Sequence, residues 1–128
     1  MKFTQSPRIV VRRTRAKGWG VYARKFIAID STIEQVPVIL IPRCDLYSPD
    51  GTSALADYAY VWDDNRVAIA LGYGSLYNHS YTPNAQYVDD DPCLKRYVAL
   101  RDIQPYEEIT INYNAIPHDE SDVGFEVL

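Results

Sequence analysis

Residues 74–84 read Gly-Ser-Leu-Tyr-Asn-His-Ser-Tyr-Thr-Pro-Asn, and residues 107–113 read Glu-Glu-Ile-Thr-Ile-Asn-Tyr. The first stretch holds two serines beside a histidine, but no Gly-x-Ser-x-Gly elbow surrounds either serine, which argues against a serine nucleophile. His79 and His118 have no companion cysteines at metal-ligand spacing. The sequence therefore predicts no metal site.

Two Gly-x-Gly pairs occur, at residues 18–20 and 72–74. Neither continues to a third glycine at the start of a helix within a βαβ unit, so a dinucleotide-binding Rossmann site is not indicated. Each pair allows either a tight turn or the close approach of a ligand to the backbone, because glycine has no Cβ. The acidic run at residues 89–91 lacks the glycine and distal glutamate of a calcium loop and indicates a solvated turn.

Residues 17–23, Lys-Gly-Trp-Gly-Val-Tyr-Ala, complete a set of three segments. Together with residues 74–84 and 107–113, in this order, they resemble the SET domain of protein-lysine methyltransferases. In its length and in residues 55–58 the chain looks most like the minimal, stand-alone SET proteins of viruses and bacteria. The resemblance implies a mostly β fold of several small sheets. Its C-terminal segment, which bears Tyr113, would be threaded beneath a preceding loop in a pseudoknot-like arrangement.

The rest of the sequence agrees with a mostly β fold, because short apolar runs separated by turn residues dominate it. We predict strands at residues 8–13, 20–23, 34–41, 67–71, 94–100 and 109–113. Pro37 suggests a sheet edge or a bulge in the third of these strands. A turn is expected at residues 64–65. Ser53 is a candidate cap for one short helix over residues 54–57, although the aromatic and β-branched residues after it also suit a strand.

A chain of 128 residues and 14.6 kDa predicts one compact domain. We take residues 1–128 as a single SET domain, with a motif-bearing core at residues 8–115 and an acidic C-terminal tail at residues 116–128. The tail is expected to be ordered only if something docks it. Tyrosine is in excess, with 11 residues against three Phe and two Trp. This excess indicates lined pockets or contact surfaces, with scattered half-buried tyrosines as the alternative.

Charge is unevenly distributed along the chain. Residues 1–29 hold eight Lys or Arg and no acid, whereas residues 30–128 hold five bases and all 17 acids, so the net charge of −4 hides an acidic body. This body favours a basic protein or peptide as partner and argues against nucleic acid as the primary partner. The basic opening is interleaved with apolar residues like a polar-edged strand, and a nucleic-acid arm is the lesser alternative.

Neither cysteine usage nor hydropathy indicates export. Cys44 and Cys93 form no disulfide framework, and the first 20 residues lack the apolar core of a signal peptide. No stretch approaches the roughly 18 apolar residues of a membrane span. We therefore expect an intracellular protein with no membrane partner, in the cytoplasm of a bacterium or, for a viral chain, also in the host nucleus.

The resemblance implies S-adenosylmethionine as the cofactor, with S-adenosylhomocysteine as its product, and no metal. In the family, backbone groups of the first motif and an Asn-His pair contact this cofactor. The matching residues here are Lys17, Gly18, Trp19, Gly20, Asn78 and His79. A hydrogen-bonded turn is the structural alternative for the pair at residues 78–79.

The resemblance also makes Tyr113 the catalytic residue. Methyl transfer needs a neutral amine, whereas the reference pKa of lysine is about 10.4. A neighbouring sulfonium and partial burial both lower the pKa of the incoming lysine. Because the pKa of tyrosine is itself near 10, we expect Tyr113 to orient the amine or the methyl group rather than to act as an obligate base.

Three further residues are assigned to the channel for the substrate lysine. Tyr58 and Tyr87 match positions at which family members place channel tyrosines. Ile111 stands two residues before Tyr113, where many relatives carry an aromatic residue that influences how many methyl groups are added. Tyr87 is the candidate to take over that influence, through a water held beside the amine.

Several positions depart from the family pattern without removing a reacting group. They are Tyr81 for a cysteine, Asn112 for an aspartate and Tyr106 for a glycine. The sequence also carries no cysteine-rich zinc segment after Tyr113, which closes the channel in many relatives. We expect the acidic tail with Phe125, or the second subunit of a homodimer, to close it instead.

The predicted function is transfer of methyl groups from S-adenosylmethionine to a lysine side chain of a protein, with a histone or another basic tail as substrate. The alternative is a catalytically weak SET-fold module that binds lysine or methyl-lysine peptides by cation–π attraction in a tyrosine-lined channel. Tyr113 and the pair at residues 78–79 argue against it, because a pure reader needs no cofactor. A structural or assembly protein is the third alternative.

Overall fold

Short strands dominate the fold, as the sequence predicts. The computed structural model describes residues 3–90 and 92–124. The strands are β1 (Ile9–Thr14), β2 (Gly18–Ala23), β3 (Thr32–Pro42), β4 (Tyr47–Ser48), β5 (Gly51–Thr52), β6 (Ala59–Val61), β7 (Arg66–Ala70), β8 (Asn78–His79), β9 (Ala85–Asp90), β10 (Leu94–Ala99) and β11 (Glu108–Ile111). Two short 3₁₀ helices, Arg43–Asp45 and Ala54–Tyr58, are the only helices within these described ranges.

A four-stranded sheet has the order β1-β2-β11-β8. β1 and β2 form an antiparallel hairpin, and the turn between them ends at Gly18. The φ of Gly18, 69°, is a left-handed conformation that glycine adopts without a Cβ clash. β11 pairs antiparallel with β2 and parallel with β8, so Glu108 lies opposite Tyr22 and Thr110 lies opposite Asn78. The sheet thus joins the three segments that carry the family resemblance.

A five-stranded sheet has the order β6-β7-β3-β10-β9. β3 is central, so the prediction of a sheet edge at Pro37 is wrong, and the register shift against β10 lies at Tyr97 and Val98 rather than at the proline. Pro37 instead lies where β3 changes partners. The pairing of β3 with β10 ends at Pro37, and its pairing with β7 begins at Val38. Because Pro37 is the last residue of β3 paired with β10, the N–H that proline lacks is missing only at the end of that ladder.

The predicted turn and helix cap are both present. The carboxylate of Asp63 accepts two backbone N–H groups and closes the turn between β6 and β7. The hydroxyl of Ser53 accepts the backbone N–H of Leu55 at 3.2 Å and caps the 3₁₀ helix Ala54–Tyr58. β6 follows directly, so Tyr58 lies at the junction of helix and strand.

One apolar cluster draws buried side chains from both large sheets. Val21 and Ile109 enter it from the four-stranded sheet, and Val36 enters it from the five-stranded sheet. The largest fully buried side chains are Tyr77 and Tyr97, whose rings stack with centroids 4.4 Å apart. Part of the tyrosine excess therefore belongs to the core, where these two rings are fully buried rather than half-buried.

The C-terminal segment that follows β11 is docked over its described part. The buried side-chain amide of Asn112 donates hydrogen bonds to the carbonyl oxygens of Pro117 and Asp119, at 3.3 and 2.6 Å. This contact meets the condition under which the acidic tail was expected to be ordered. Phe125 lies outside the described residues.

Two parts of the sequence interpretation stay predictions at the level of the fold. They are the threading of the C-terminal segment and the boundaries between a core at residues 8–115 and a tail at residues 116–128. Across the described ranges, no helix has both the length and the apolar character needed to cross a bilayer.

Candidate active site

One cavity of about 530 Å³ brings together tyrosines from distant parts of the chain. It is lined by Asp57, Tyr58, Ala59, Tyr60, Val61, Ser75, Tyr77, Tyr87, Asp89, Tyr113, Asn114 and Ala115. The predicted channel residues Tyr58 and Tyr87 and the predicted catalytic Tyr113 all belong to this lining. Ile111 is placed elsewhere: it is fully buried in the apolar core, because Ile109 and Ile111 alternate along β11 toward the same buried face.

Tyr113 is held at both its backbone and its hydroxyl. Its backbone N–H donates to Nδ1 of His79 at 2.9 Å, and its hydroxyl donates to the carbonyl oxygen of Tyr77 at 2.6 Å. Burial raises the pKa of Tyr113 to about 12, and the negative charge of Glu108 adds to this rise. The hydroxyl therefore stays protonated near neutral pH, and its oxygen retains lone pairs that can accept an amine N–H.

A hydrogen-bonded group of tyrosines supports the cavity wall, and the sequence analysis did not assign it. The hydroxyls of Tyr60 and Tyr97 converge on the carbonyl oxygen of Gly74, at 2.5 and 2.9 Å. The hydroxyl of Tyr77 donates to the buried carboxyl of Glu34 at 2.8 Å, and burial raises the pKa of Glu34. The signal for Tyr77 was its place directly before the Asn-His pair, whereas nothing local distinguished Tyr60.

The cavity is acidic. Asp57 and Asp89 belong to its lining, and none of the described residues that line it is Lys, Arg or His. The carboxylate of Asp89 pairs with Nζ of Lys95 at 2.5 Å. Asp89 stands two residues after Tyr87 on β9, and this period of two was the available signal that both face the same side. Because Lys95 neutralises Asp89, the negative charge of the lining rests on Asp57, and a cavity of this charge favours a cationic ligand.

Several of the residues predicted to bind the cofactor meet around Glu108. This residue belongs to the motif at residues 107–113, but no role was predicted for it. Its carboxylate accepts hydrogen bonds from Nζ of Lys17 at 2.9 Å and from the side-chain amide of Asn78 at 2.8 Å. The same amide donates to the carbonyl oxygen of Trp19 at 3.0 Å. The pairing of β2, β11 and β8 is what brings these groups together.

The two glycines of this cluster leave room for different groups. Apart from its chain neighbours, none of the described residues has an atom within 4 Å of the Cβ position of Gly18, so the backbone is open to a ligand on the side that the structure describes. A Cβ on Gly20 would come within 2.7 Å of the Glu108 carboxylate and 3.0 Å of the Asn78 amide. Trp19 lies between them and is 51% exposed. An open backbone, a carboxylate, an amide and an exposed ring suit the charged amino-acid part and the flat adenine of S-adenosylmethionine.

His79 is buried, and its ring serves Tyr113 in this structure. Because Nδ1 accepts a backbone N–H, the imidazole is neutral with its proton on Nε2. Burial lowers the pKa of His79, and the ring of Tyr81 packs edge-on against it at 4.4 Å. The predicted contact of His79 with the cofactor stays a prediction. In the part of the chain that the structure describes, no group of three or more His, Cys, Asp or Glu is placed to hold a metal ion.

The C-terminal segment supplies one wall of the cavity through Asn114 and Ala115. The side-chain amide of Asn114 and the hydroxyl of Tyr81 both donate to the carbonyl oxygen of Ser121, at 2.8 and 3.0 Å. Asn112 holds two further carbonyl oxygens of the segment. Tyr81 and Asn112, two of the departures from the family pattern, therefore fasten this wall.

Comparison with known proteins finds a matching domain family and related proteins. The SET domain matches residues 18–114. A histone-lysine N-methyltransferase of Schizosaccharomyces pombe, specific for H3 lysine-37, is 34% identical over 104 residues, which cover 80% of this chain and 71% of that protein. A histone-lysine N-methyltransferase of Oryza sativa subsp. japonica is 31% identical over 133 residues, which cover 94% of this chain and 13% of that protein.

A solved structure agrees with these sequence matches. The crystal structure of a candidate histone methyltransferase of Plasmodium falciparum superposes with a TM-score of 0.65 and 30% identity, covering 86% of this chain and 95% of that chain. The expected closeness to viral and bacterial members stays a prediction. Since the matched domain takes in most of the chain and the sequence relatives agree, the chain belongs to the SET-domain family of methyltransferases.

Proposed function

We propose that this SET-domain protein-lysine methyltransferase acts on a lysine in a basic segment of a protein, with a histone tail as the substrate class. The observation that carries the proposal is the hydroxyl of Tyr113, fixed to the carbonyl oxygen of Tyr77 inside an acidic cavity that Tyr58 and Tyr87 also line. Such a cavity suits the aliphatic stem and ammonium of lysine. The relatives named above are histone-lysine methyltransferases, which supports the substrate class.

S-adenosylmethionine, when bound, supplies an electrophilic methyl group on a sulfonium. Lys17, Gly18, Trp19, Gly20, Asn78 and His79 are the residues we propose to hold it, with Glu108 added from the structure. Glu108 keeps the Asn78 amide turned toward the hairpin of β1 and β2. The open backbone at Gly18 supports this site, since a ligand can approach it without meeting a side chain.

The substrate lysine has to lose a proton before its nitrogen can attack. Burial among aromatic rings favours the neutral amine. The hydroxyl of Tyr113 donates its hydrogen bond to the carbonyl oxygen of Tyr77 and accepts an N–H of the amine on its oxygen, which aims the nitrogen lone pair. With its pKa at about 12, Tyr113 is an orienting group in this reaction and not the base that removes the proton.

The wall formed by Asn114 and Ala115 supports closure of the channel by the C-terminal segment. This closure needs no zinc. Closure by a second subunit and an intracellular location stay predictions. The reader without catalytic activity is not favoured, because the relatives are named as methyltransferases.

Label transfer from methyl-labelled S-adenosylmethionine to a panel of histones and basic peptides tests the proposal. We expect Tyr113→Phe to lower kcat/KM by about 100-fold, a typical loss for one group that stabilises or orients the reacting atoms. Its affinity for S-adenosylhomocysteine should stay close to that of the unaltered protein. Tyr47→Phe, on β4 and outside the cavity lining, is the matched control. Near-normal turnover of Tyr113→Phe would show that the tyrosine is misassigned, and peptide binding without label transfer by the unaltered protein would support the reader.

A further inference from the structure

The chain places one of its own lysines in an aromatic cage against the cavity. Nζ of Lys95 lies 4.0 Å from the ring centroid of Tyr60, 4.2 Å from that of Tyr87 and 5.9 Å from that of Trp62. It also pairs with the carboxylate of Asp89 at 2.5 Å. The Lys95 side chain is completely buried, whereas Tyr60, Tyr87 and Asp89 all line the cavity.

Stability alone does not account for this arrangement. Burial lowers the pKa of Lys95, while the hydrogen bond and the charge of Asp89 oppose that effect. A well-packed apolar side chain of similar length at such a position is commonly neutral or stabilising relative to a buried ion pair. The position of Lys95, in contact with two rings and one carboxylate of the cavity wall, points instead to an effect on the ligand.

The neighbouring pair on the same ladder shows what an ordinary cross-strand ion pair looks like here. Arg96 on β10 contacts Asp90 on β9 at 3.2 Å, with the two side chains 36% and 33% exposed. Because side chains alternate along a strand, this pair lies on the opposite face from Lys95 and Asp89. Neither Arg96 nor Asp90 belongs to the described lining of the cavity.

We propose that Lys95 and Asp89 form a charge pair, built into the channel wall, that sets the pH at which a substrate lysine in the cavity loses its proton. This inference rests on the proposed lysine methylation. With Lys95 in place, the carboxylate of Asp89 is neutralised before a substrate arrives. Without Lys95, an unpaired carboxylate would face the cavity and would hold the substrate lysine as its ammonium.

The other groups that face the pair cannot replace the positive charge that is lost when Lys95 is removed. Tyr60 on β6 and Tyr87 on β9 stay uncharged, because burial raises the pKa of each, that of Tyr87 to about 12. β3 presents Val36 opposite Lys95.

Three carboxyl groups remain near the cavity. Asp57 is the remaining carboxyl residue of the lining. Glu34 contacts Tyr77, and Glu108 acts on Tyr113 through its charge. All three are unchanged in the variants below, so they contribute equally to each pH profile.

The dependence of kcat/KM on pH, measured with labelled cofactor and a histone-tail peptide, tests the inference. For Lys95→Met we expect the ascending limb to move up by about two pH units, the shift that one unpaired charge roughly 6 Å away produces at an effective dielectric constant of about 20. In Lys95→Met/Asp89→Asn, which removes both charges, the limb should return to that of the unaltered protein. Asp89→Asn alone leaves the ammonium unpaired and should move the limb to lower pH.

Arg96→Met is the matched control, because it removes the outward-facing cation of the same ladder. It should leave the ascending limb of the pH profile where it is in the unaltered protein. Thermal unfolding of each variant establishes that it folds. An NMR titration of a peptide with ¹³C-labelled lysine, bound together with S-adenosylhomocysteine, measures the proton loss without turnover. The titration should move in the same direction as the rate profiles.

The outcomes separate this inference from the proposed function. An unmoved profile for Lys95→Met, or a double variant shifted as far as the single one, overturns the charge pair while label transfer by the unaltered protein still supports methylation. Failure of the unaltered protein to label any peptide overturns the proposed function, and the NMR titration of bound peptide then still decides on the charge pair.

Discussion

Nδ1 of His79 accepts the backbone N–H of Tyr113 at 2.9 Å, which ties the segment after β11 to β8. The bond requires an unprotonated Nδ1, and burial lowers the pKa of His79 in agreement with that requirement. Protonation of Nδ1 would abolish the bond and release the backbone of the tyrosine whose hydroxyl lines the cavity. His79 therefore couples pH to the position of Tyr113.

This coupling predicts a loss of stability in mild acid. The pKa of His79 is lower in the folded chain than its ordinary value of 6.5, so the unfolded chain binds more protons below that pH. We expect the free energy of unfolding to fall as the pH falls from 7.5 to 5.5. Urea unfolding in a His118→Gln background, where His79 is the remaining histidine, measures the change.

Glu34 acts in the opposite direction as the pH falls. Burial raises its pKa, so its protonation at lower pH favours the folded chain. The prediction therefore concerns the difference between the His118→Gln protein and the same protein carrying His79→Gln, in which the contribution of Glu34 is common to both. Identical pH dependence of the two would contradict the coupling.

Tyr87 is expected to limit the number of methyl groups added. Its ring packs edge-on against Tyr60 at 4.9 Å, and burial raises its pKa to about 12, so the wall presents an uncharged hydroxyl group. If that hydroxyl retains a water beside the amine, Tyr87→Phe should give more of the higher methylated products. Mass spectrometry of a peptide methylated to completion measures the distribution. Tyr47→Phe is the control, and an unchanged distribution in Tyr87→Phe would show that Tyr87 has no such influence.

The sequence contained enough to predict most of the framework, because the apolar runs that form β1, β2, β3, β7, β10 and β11 alternate with turn residues in the expected way. Each of these strands ends within two residues of its predicted bounds. β8 has only two residues, Asn78 and His79, and its pairing with β11 depends on residues far away in the chain. No local pattern marks a strand of this kind.

The residues that sequence reasoning could not place owe their surroundings to distant strands. Lys95 lies in a run that predicts β10, but its burial depends on rings supplied by β6 and β9. Pro37 lies in a central strand, at the end of the ladder with β10 and next to the start of the ladder with β7, and this change of partner depends on distant strands. Tyr106 has a φ of 69°, a left-handed conformation that suits the glycine common at this position in the family. A tyrosine at this position gives no sign of that backbone conformation.

The close approach of the Glu108 carboxylate to the position that a Cβ of residue 20 would take gives a third prediction. A Cβ at residue 20 would displace the ends of the Glu108 and Asn78 side chains, which are flexible, so Gly20→Ala should fold. We expect the affinity for S-adenosylhomocysteine, measured by calorimetry, to fall about tenfold, because both displaced groups belong to the proposed cofactor site.

Gly124→Ala is the control for this variant. Its φ of 88° lies in the left-handed region, and among the described residues no atom other than those of its chain neighbour lies within 4 Å of its Cβ position. It should cost about 1 kcal/mol of stability and leave the affinity unchanged. Unaltered binding by Gly20→Ala would exclude the Glu108 cluster from the cofactor site.

The last prediction concerns Asn112, the position at which relatives usually carry an aspartate. Its amide nitrogen donates to the carbonyl oxygens of Pro117 and Asp119, and an ionised aspartate has no hydrogen to give. Asn112→Asp would place a negative oxygen against two carbonyl oxygens in a buried position, which should cost about 2 kcal/mol of stability. Hydrogen exchange should rise in the segment from residue 117 to residue 124, and KM for the peptide should rise as the wall of the cavity loosens.

Tyr81→Phe distinguishes loss of this wall from general destabilisation. It removes one donor to the carbonyl oxygen of Ser121 but leaves the second, the amide of Asn114, in place. Its effect on exchange and on KM should therefore be smaller than that of Asn112→Asp. The carbonyl oxygen of Ser121 keeps one donor in Tyr81→Phe, whereas Asn112→Asp places a negative charge against two carbonyl oxygens that have lost their donor. If Asn112→Asp left exchange of the segment unchanged, or if both variants raised KM equally, the Asn112 amide would not be what holds the wall. The usual aspartate would then serve this chain equally well.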